Sequence, residues 1–241
     1  MSEQVQFLLD NLPNLLFGFP GNRPGGLLIT IFLTVVANSL GFVIALGLGF
    51  VSESNKRPLR WLARLYIEIF RGIPVLLLVL LTFQLIGNGR RWGLSLTPLF
   101  SAFVALTLYS SAYQAEIIKS GLRSVPVPLV ESARLLGYPP LLTFRRLKIP
   151  YTVRLMLPAL TGQTISLFKD TSVVLIIGVA DLMTTARIIL GSDVGNAPYW
   201  VGLYLMVGAC YFAVAFTLSR IAYWIEAQTQ SGDLIHAVGN Y

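Results

Sequence analysis

Residues 27–50 run for the length of a membrane span without one charged side chain, and residues 200–217 do the same. A helix of about 18–20 apolar residues matches the hydrocarbon thickness of a bilayer, and only such helices or closed barrels satisfy every backbone group there. The rest of the chain agrees. Of 241 residues 55% are hydrophobic and 12% are charged, with mean hydropathy +0.70. A water-soluble domain carries about 25% charged residues, so this chain lacks the polar surface to coat a globule in water. The expected fold is an all-α integral membrane protein.

Five spans fit the pattern, at about 27–50, 61–85, 98–119, 152–179 and 200–228. Residues 1–24, with Pro13, Pro20, Gly21 and Pro24, read as an irregular or surface-lying external lead-in. Residues 25–228 form the transmembrane domain, with a loop at 125–150, and 229–241 a cytoplasmic tail. The first span reads as a retained helix, because no small-residue cleavage site follows a short apolar core. No internal repeat stands out, so a transport path built from five helices calls for a second copy or a partner subunit.

Basic residues in short flanks stay cytoplasmic. The first connection holds Lys56, Arg57, Arg60 and Arg64. The third holds Lys119, Arg123, Arg134, Arg145, Arg146, Lys148 and Arg154. The second offers Arg90 and Arg91, and the fourth only Arg187 against Asp181 and Asp193. The first and third connections are therefore expected inside, the N-terminus outside and the C-terminus inside. The net charge of +7 follows from this topology and does not call for nucleic acid as a partner.

Enzymatic chemistry has little to build on. The single Cys210 lies within the last apolar run and the single His236 near the end, so neither a cysteine-based metal site nor a Ser–His pair is in view. No G-x-x-x-x-G-K-[ST] occurs, so any ATP must be bound by a separate chain. This chain is expected to bind no cofactor itself.

The loop at 125–150 stands out as polar and basic. Pro128 suits a first helical turn, Gly137 a left-handed helix end, and Pro139 and Pro140 restart a second helix that should stop at Pro150. Two short helices joined by a glycine make a compact knob for docking. An amphipathic hairpin lying on the bilayer, held by Arg145, Arg146 and Lys148, explains the same residues.

Charges placed inside the spans mark candidate sites, since each costs about 2.5–3.5 kcal/mol at mid-bilayer unless it faces protein or water. Lys169 and Asp170 differ by about 100° around a helix, so one can line a path while the other pairs elsewhere. Thr171, Ser172, Glu116, Tyr113 and Gln84 complete the candidate substrate path. An acidic group for an ammonium and donors for a carboxylate would suit an amino-acid zwitterion. Glu68, Arg71, Gly72 and Pro74 mark a kinked gate, or equally a structural Glu–Arg pair. The alternative for the buried charges is that they only tie helices together.

The loop resembles the EAA loop of ATP-binding-cassette (ABC) importer permeases, E-A-A-x3-G-x9-I-x-L-P. Glu131, Ser132, Ala133, Gly137 and Pro150 stand at its spacing, with Ser132 for the first Ala and Leu147 and Ile149 exchanging the two aliphatics. EIFRGIP (68–74), YQAEIIKSGLRSV (113–125) and LFKDTSVV (167–174) are similar to segments of the polar amino-acid branch. Pro128 and Leu129 depart from the Gly-Gln common before the Glu. The resemblance implies that 131–150 docks in a cytoplasmic ATPase and passes its closure to the membrane helices. It further implies two copies of that ATPase carrying ATP and Mg, a second permease subunit, identical or homologous, and an external amino-acid-binding protein. An ABC permease for another small solute would keep the loop without the three amino-acid-type segments. A stand-alone channel or ion-coupled carrier would use Glu116, Lys169 and Asp170 but leave the loop without a role.

Overall fold

The computed structural model describes residues 3–20, 24–87 and 97–238, and every regular element among them is a helix. Arg90 and Arg91 lie outside the described residues. The helices are α1 (Glu3–Phe17), α2 (Gly26–Ser52), α3 (Arg57–Gly72), α4 (Val75–Thr82), α5 (Pro98–Arg123), α6 (Val127–Leu135), α7 (Pro140–Thr143), α8 (Ile149–Asp170), α9 (Leu182–Gly191) and α10 (Trp200–Val238). Helices occupy all five places expected to span. Among the described residues α2 and 194–228 have both the length and the apolarity to cross a membrane, joined by the bent α3–α4 pair if it counts as one span. α5 and α8 are 26 and 22 residues long, long enough to cross, and carry charges that pair within the protein.

α2 and α5 form the centre. Ala37, Ala45 and Gly49 of α2 are buried at four-residue spacing with Gly41, and Ser110, Ser111 and Ala115 of α5 face them. Small side chains let the two backbones approach, which is how helices gain packing where lipid offers no hydrophobic drive. A polar tie crosses this contact. The Gln114 amide donates to Asn38 Oδ1 (2.7 Å) and Ser110 Oγ (2.8 Å), and Thr164 of α8 donates to the same Asn38 oxygen (3.3 Å).

Four local outcomes differ from the sequence reading. The lead-in contains a regular helix, α1, and its Leu15 is fully buried against α9 and α10. The expected kink at Pro74 is a full break: Ile73 and Pro74 are extended and the axis turns by 103°. Pro74 disfavours helical geometry at the residue before it as well as lacking its own N–H. Pro150 does not stop its helix. A π-helical turn at Phe144–Lys148 carries α7 straight into α8, and Pro150 sits in the first turn of α8, where its missing donor is harmless. Finally, the fourth span stops being α-helical at Asp170. A tighter 3₁₀ turn, Thr171–Ile177, ends at Gly178 with φ +74°.

The chain then returns to α9 through a buried polar knot. Asp181 is fully buried and caps α9, accepting from the Thr184 N–H (2.8 Å), the Thr184 hydroxyl (2.5 Å) and the Met183 N–H (3.2 Å). Thr30 of α2 accepts from the Leu182 N–H (3.1 Å), and the Gly26 N–H reaches the Ala180 carbonyl (3.0 Å). These bonds fasten the start of α2 to the start of α9.

Candidate translocation face and coupling loop

One face of α5 carries a continuous polar column. Tyr109, Tyr113, Glu116 and Ser120 recur at i, i+4, i+7 and i+11, the spacing of one helical stripe. At one end the Tyr109 hydroxyl donates to Asp170 Oδ2 (3.1 Å). The Tyr109 and Tyr113 rings lie 4.7 Å apart, and the Arg71 guanidinium covers Tyr113 at 5.3 Å from its centre. Arg71 Nη1 then stands 3.5 Å from Glu116 Oε2, and Lys119 donates to both Glu116 oxygens (3.1 and 2.8 Å). Two cations thus share one carboxylate beside a cleft of about 260 Å³, lined by Arg71, Tyr113, Glu116, Ser120 and Met156.

The two polar stations are separated along α5 by about 10 Å, from seven residues at 1.5 Å each. Arg71 joins them because the chain break at Ile73–Pro74 leaves it on the last turn of α3.

The remaining candidates divide. Lys169 is exposed and Asp170 half-buried, facing different ways as adjacent helical residues must. Thr171 is fully buried and donates to the Phe168 carbonyl (2.7 Å), which removes it from the open face. Ser172 is half-buried in the 3₁₀ turn, and Gln84 is exposed in the π-helical turn Phe83–Gly87. Glu68 does not pair with Arg71. It lies 4.0 Å from Arg64, one turn back, on an exposed surface where such a pair contributes little. Tyr109 escaped the sequence reading, although its register with Tyr113 and Glu116 was available there.

At the far end of α8 the loop forms a hinge of defined geometry. Gly137 has φ +80°, its N–H bonds the Arg134 carbonyl (2.9 Å), and the Tyr138 N–H bonds the Ala133 carbonyl (3.0 Å). That pair of bonds is the Schellman ending that a glycine permits. On either side of it, Leu135, Leu136 and Leu141 are 89%, 77% and 77% exposed. Glu131 and Ser132 are also exposed, and the Ser132 hydroxyl donates to the Pro128 carbonyl (2.9 Å), while Ala133 is buried.

A bundle of long apolar helices, one polar face through it and a helical knob at one end define a multi-helix membrane transport component. Comparison with known proteins agrees. The family pattern of the binding-protein-dependent transport system inner membrane component matches residues 38–231. The probable glutamine ABC transporter permease protein GlnP of Bacillus subtilis is 32% identical over 203 residues, covering 84% of this chain and 91% of the relative. The glutamate/aspartate import permease protein GltK of Escherichia coli O6:H1 is 34% identical over 210 residues, covering 85% and 92%. A crystal structure of an amino acid ABC transporter with histidines superposes with a TM-score of 0.76 at 31% identity, covering 84% of this chain and 92% of that one. The chain belongs to the binding-protein-dependent transport system inner membrane component family.

Proposed function

We propose that this chain is the permease subunit of an ATP-driven importer for polar amino acids, and that residues 125–150 are its coupling loop. One observation carries the reading. Two short helices joined at Gly137 hold three leucines, Leu135 and Leu136 at the end of the first and Leu141 on the second, largely exposed, where they are costly unless a partner covers them. A cleft in a cytoplasmic ATPase is a fitting cover. The rigid hairpin runs through the π-helical turn into α8, so force applied at Leu135 and Leu141 reaches Asp170 along about 40 Å of helix.

The polar column suits a zwitterion. Asp170 offers a carboxylate to an ammonium, and Arg71 with Lys119 offers cations to a carboxylate, with Glu116 holding those cations until substrate arrives. The amino-acid names of GlnP and GltK support this substrate class. ATP and Mg would sit on two copies of a separate ATPase, and a second permease subunit and an external amino-acid-binding protein would complete the assembly. The N-terminus is outside and the C-terminus inside on the distribution of Lys and Arg.

Mild-detergent isolation of the chain from its native membrane, with mass identification of what co-elutes, tests this. Recovery of an ATPase, with or without a second permease, is expected. An intact, folded chain isolated alone would overturn the reading.

A further inference from the structure

A second cavity lies at the loop end of the bundle, on the other side of Leu155 from the cleft of the polar column. It measures about 520 Å³ and sits where α6, the π-helical turn, α8 and α10 converge. Its walls are of two kinds. Arg146 and Arg154 supply two guanidinium groups against the single carboxylate of Glu226, while Leu147, Leu155 and Pro158 supply an apolar floor. Of these residues Leu155 alone also lines the cleft beside Glu116, and the charged ones take no part in it.

The level of this cavity is marked independently. Tyr223 and Trp224, on the α10 turn that carries Glu226, are 70% and 61% exposed. Exposed tyrosine and tryptophan on a spanning helix concentrate where lipid headgroups meet water. Arg145 and Lys148 add positive charge from the adjoining turn. A positively charged, half-apolar recess at headgroup depth matches a phosphate joined to an acyl glycerol, since arginine forks bind phosphate oxygens in pairs and the floor accepts the start of the chains.

We infer that this cavity seats the phosphate headgroup of an anionic phospholipid, held by Arg146 and Arg154. The occupant would touch the loop through Leu129 and Arg146, and the membrane helices through Arg154 and Leu155. It therefore bridges the coupling hairpin to α8 and α10. The inference goes beyond the transport reading, and its test needs no transport.

The test is native mass spectrometry of the full chain, with the subunits that co-purify, from nanodiscs of phosphatidylcholine containing one-fifth phosphatidylglycerol. Wild type is expected to retain phosphatidylglycerol at least about tenfold over its share of the bilayer. The double variant Arg146→Gln/Arg154→Gln should lose that preference. Leu155→Trp should lose it too, by filling the floor with every charge intact, so a folding defect in one variant leaves the other to decide. Arg57→Gln/Arg60→Gln, on α3, should keep it. Equal loss in the α3 variant would reduce the effect to general surface charge and overturn the site. Complete displacement of the lipid by millimolar inorganic phosphate would overturn it as well, by making a free anion the ligand.

Discussion

The Tyr109 hydroxyl donates to Asp170 Oδ2 across the interface of α5 and α8, and that bond ties the charged end of α8 to the aromatic stripe of α5. The bond makes a direct prediction. Asp170→Asn keeps the shape and removes the charge, and a lost charge-assisted contact of about 1.5–3 kcal/mol corresponds to roughly 10–100-fold weaker uptake. Tyr109→Phe leaves the carboxylate in place and should cost no more than about tenfold. Radiolabelled amino-acid uptake in vesicles, beside the yield of assembled complex, reads both. Loss of assembly with either variant would make the pair a structural tie instead of part of the path.

Gly137 gives a different kind of prediction, because open space surrounds it and only its φ of +80° resists a side chain. Gly137→Val should strain the Schellman ending by about 1–2 kcal/mol and re-aim Leu135 and Leu136 without disturbing the bundle. Membrane insertion should be normal, ATP hydrolysis by the co-purified ATPase should persist, and uptake should fall. Wild-type coupling in this variant would remove the loop from the mechanism.

Much of this arrangement was legible from the residues alone, and the reason is local chemistry. Charge-free runs identify α2 and α10, and Gly137 ends α6 because few other residues adopt its φ. What escaped depends on contacts between distant residues. Nothing in the sequence near Asp181 announces that Thr30 lies beside it, and only the return of the chain after Gly178 brings them together. Glu68 and Arg71 are correctly spaced to pair. The packing of α3 on α5 instead brings Arg71 to Glu116, and Arg64 takes Glu68. Pro150 misled for the opposite reason. Its effect on a helix depends on whether a π-helical turn precedes it, and that turn leaves no simple pattern.

The α2–α5 contact predicts sharp intolerance at Gly49. A Cβ built there would come 2.5 Å from Ile118 Cγ2, and Ile118 is itself buried and β-branched, with little freedom to yield. Gly49→Val should therefore cost about 1–3 kcal/mol by overpacking and lower the denaturation midpoint in detergent. Gly47→Val on the same helix meets nothing within 4 Å and should leave the midpoint nearly unchanged. Equal effects at the two glycines would mean that helix propensity, not the close approach, sets their tolerance.

Asp181 carries the last prediction, since it combines a helix cap with full burial. Its carboxylate satisfies two backbone N–H groups at the start of α9 and one threonine hydroxyl, none of which water can reach readily. Asp181→Ala removes a cap, an effect of about 0.5–2 kcal/mol, and strands buried donors at about 1–3 kcal/mol more. Asp193 is the internal control: it accepts from the Gly195 N–H (2.8 Å) at an exposed turn, where water replaces the lost partner. Asp193→Ala should lower the midpoint by well under half as much as Asp181→Ala. Thr30→Val completes the comparison by leaving the Leu182 N–H unpaired without touching the cap, and should fall between the two. If Asp181→Ala proves as mild as Asp193→Ala, the joint between α2 and α9 is held by apolar packing around Leu15 and Leu182, and the buried knot adds nothing measurable.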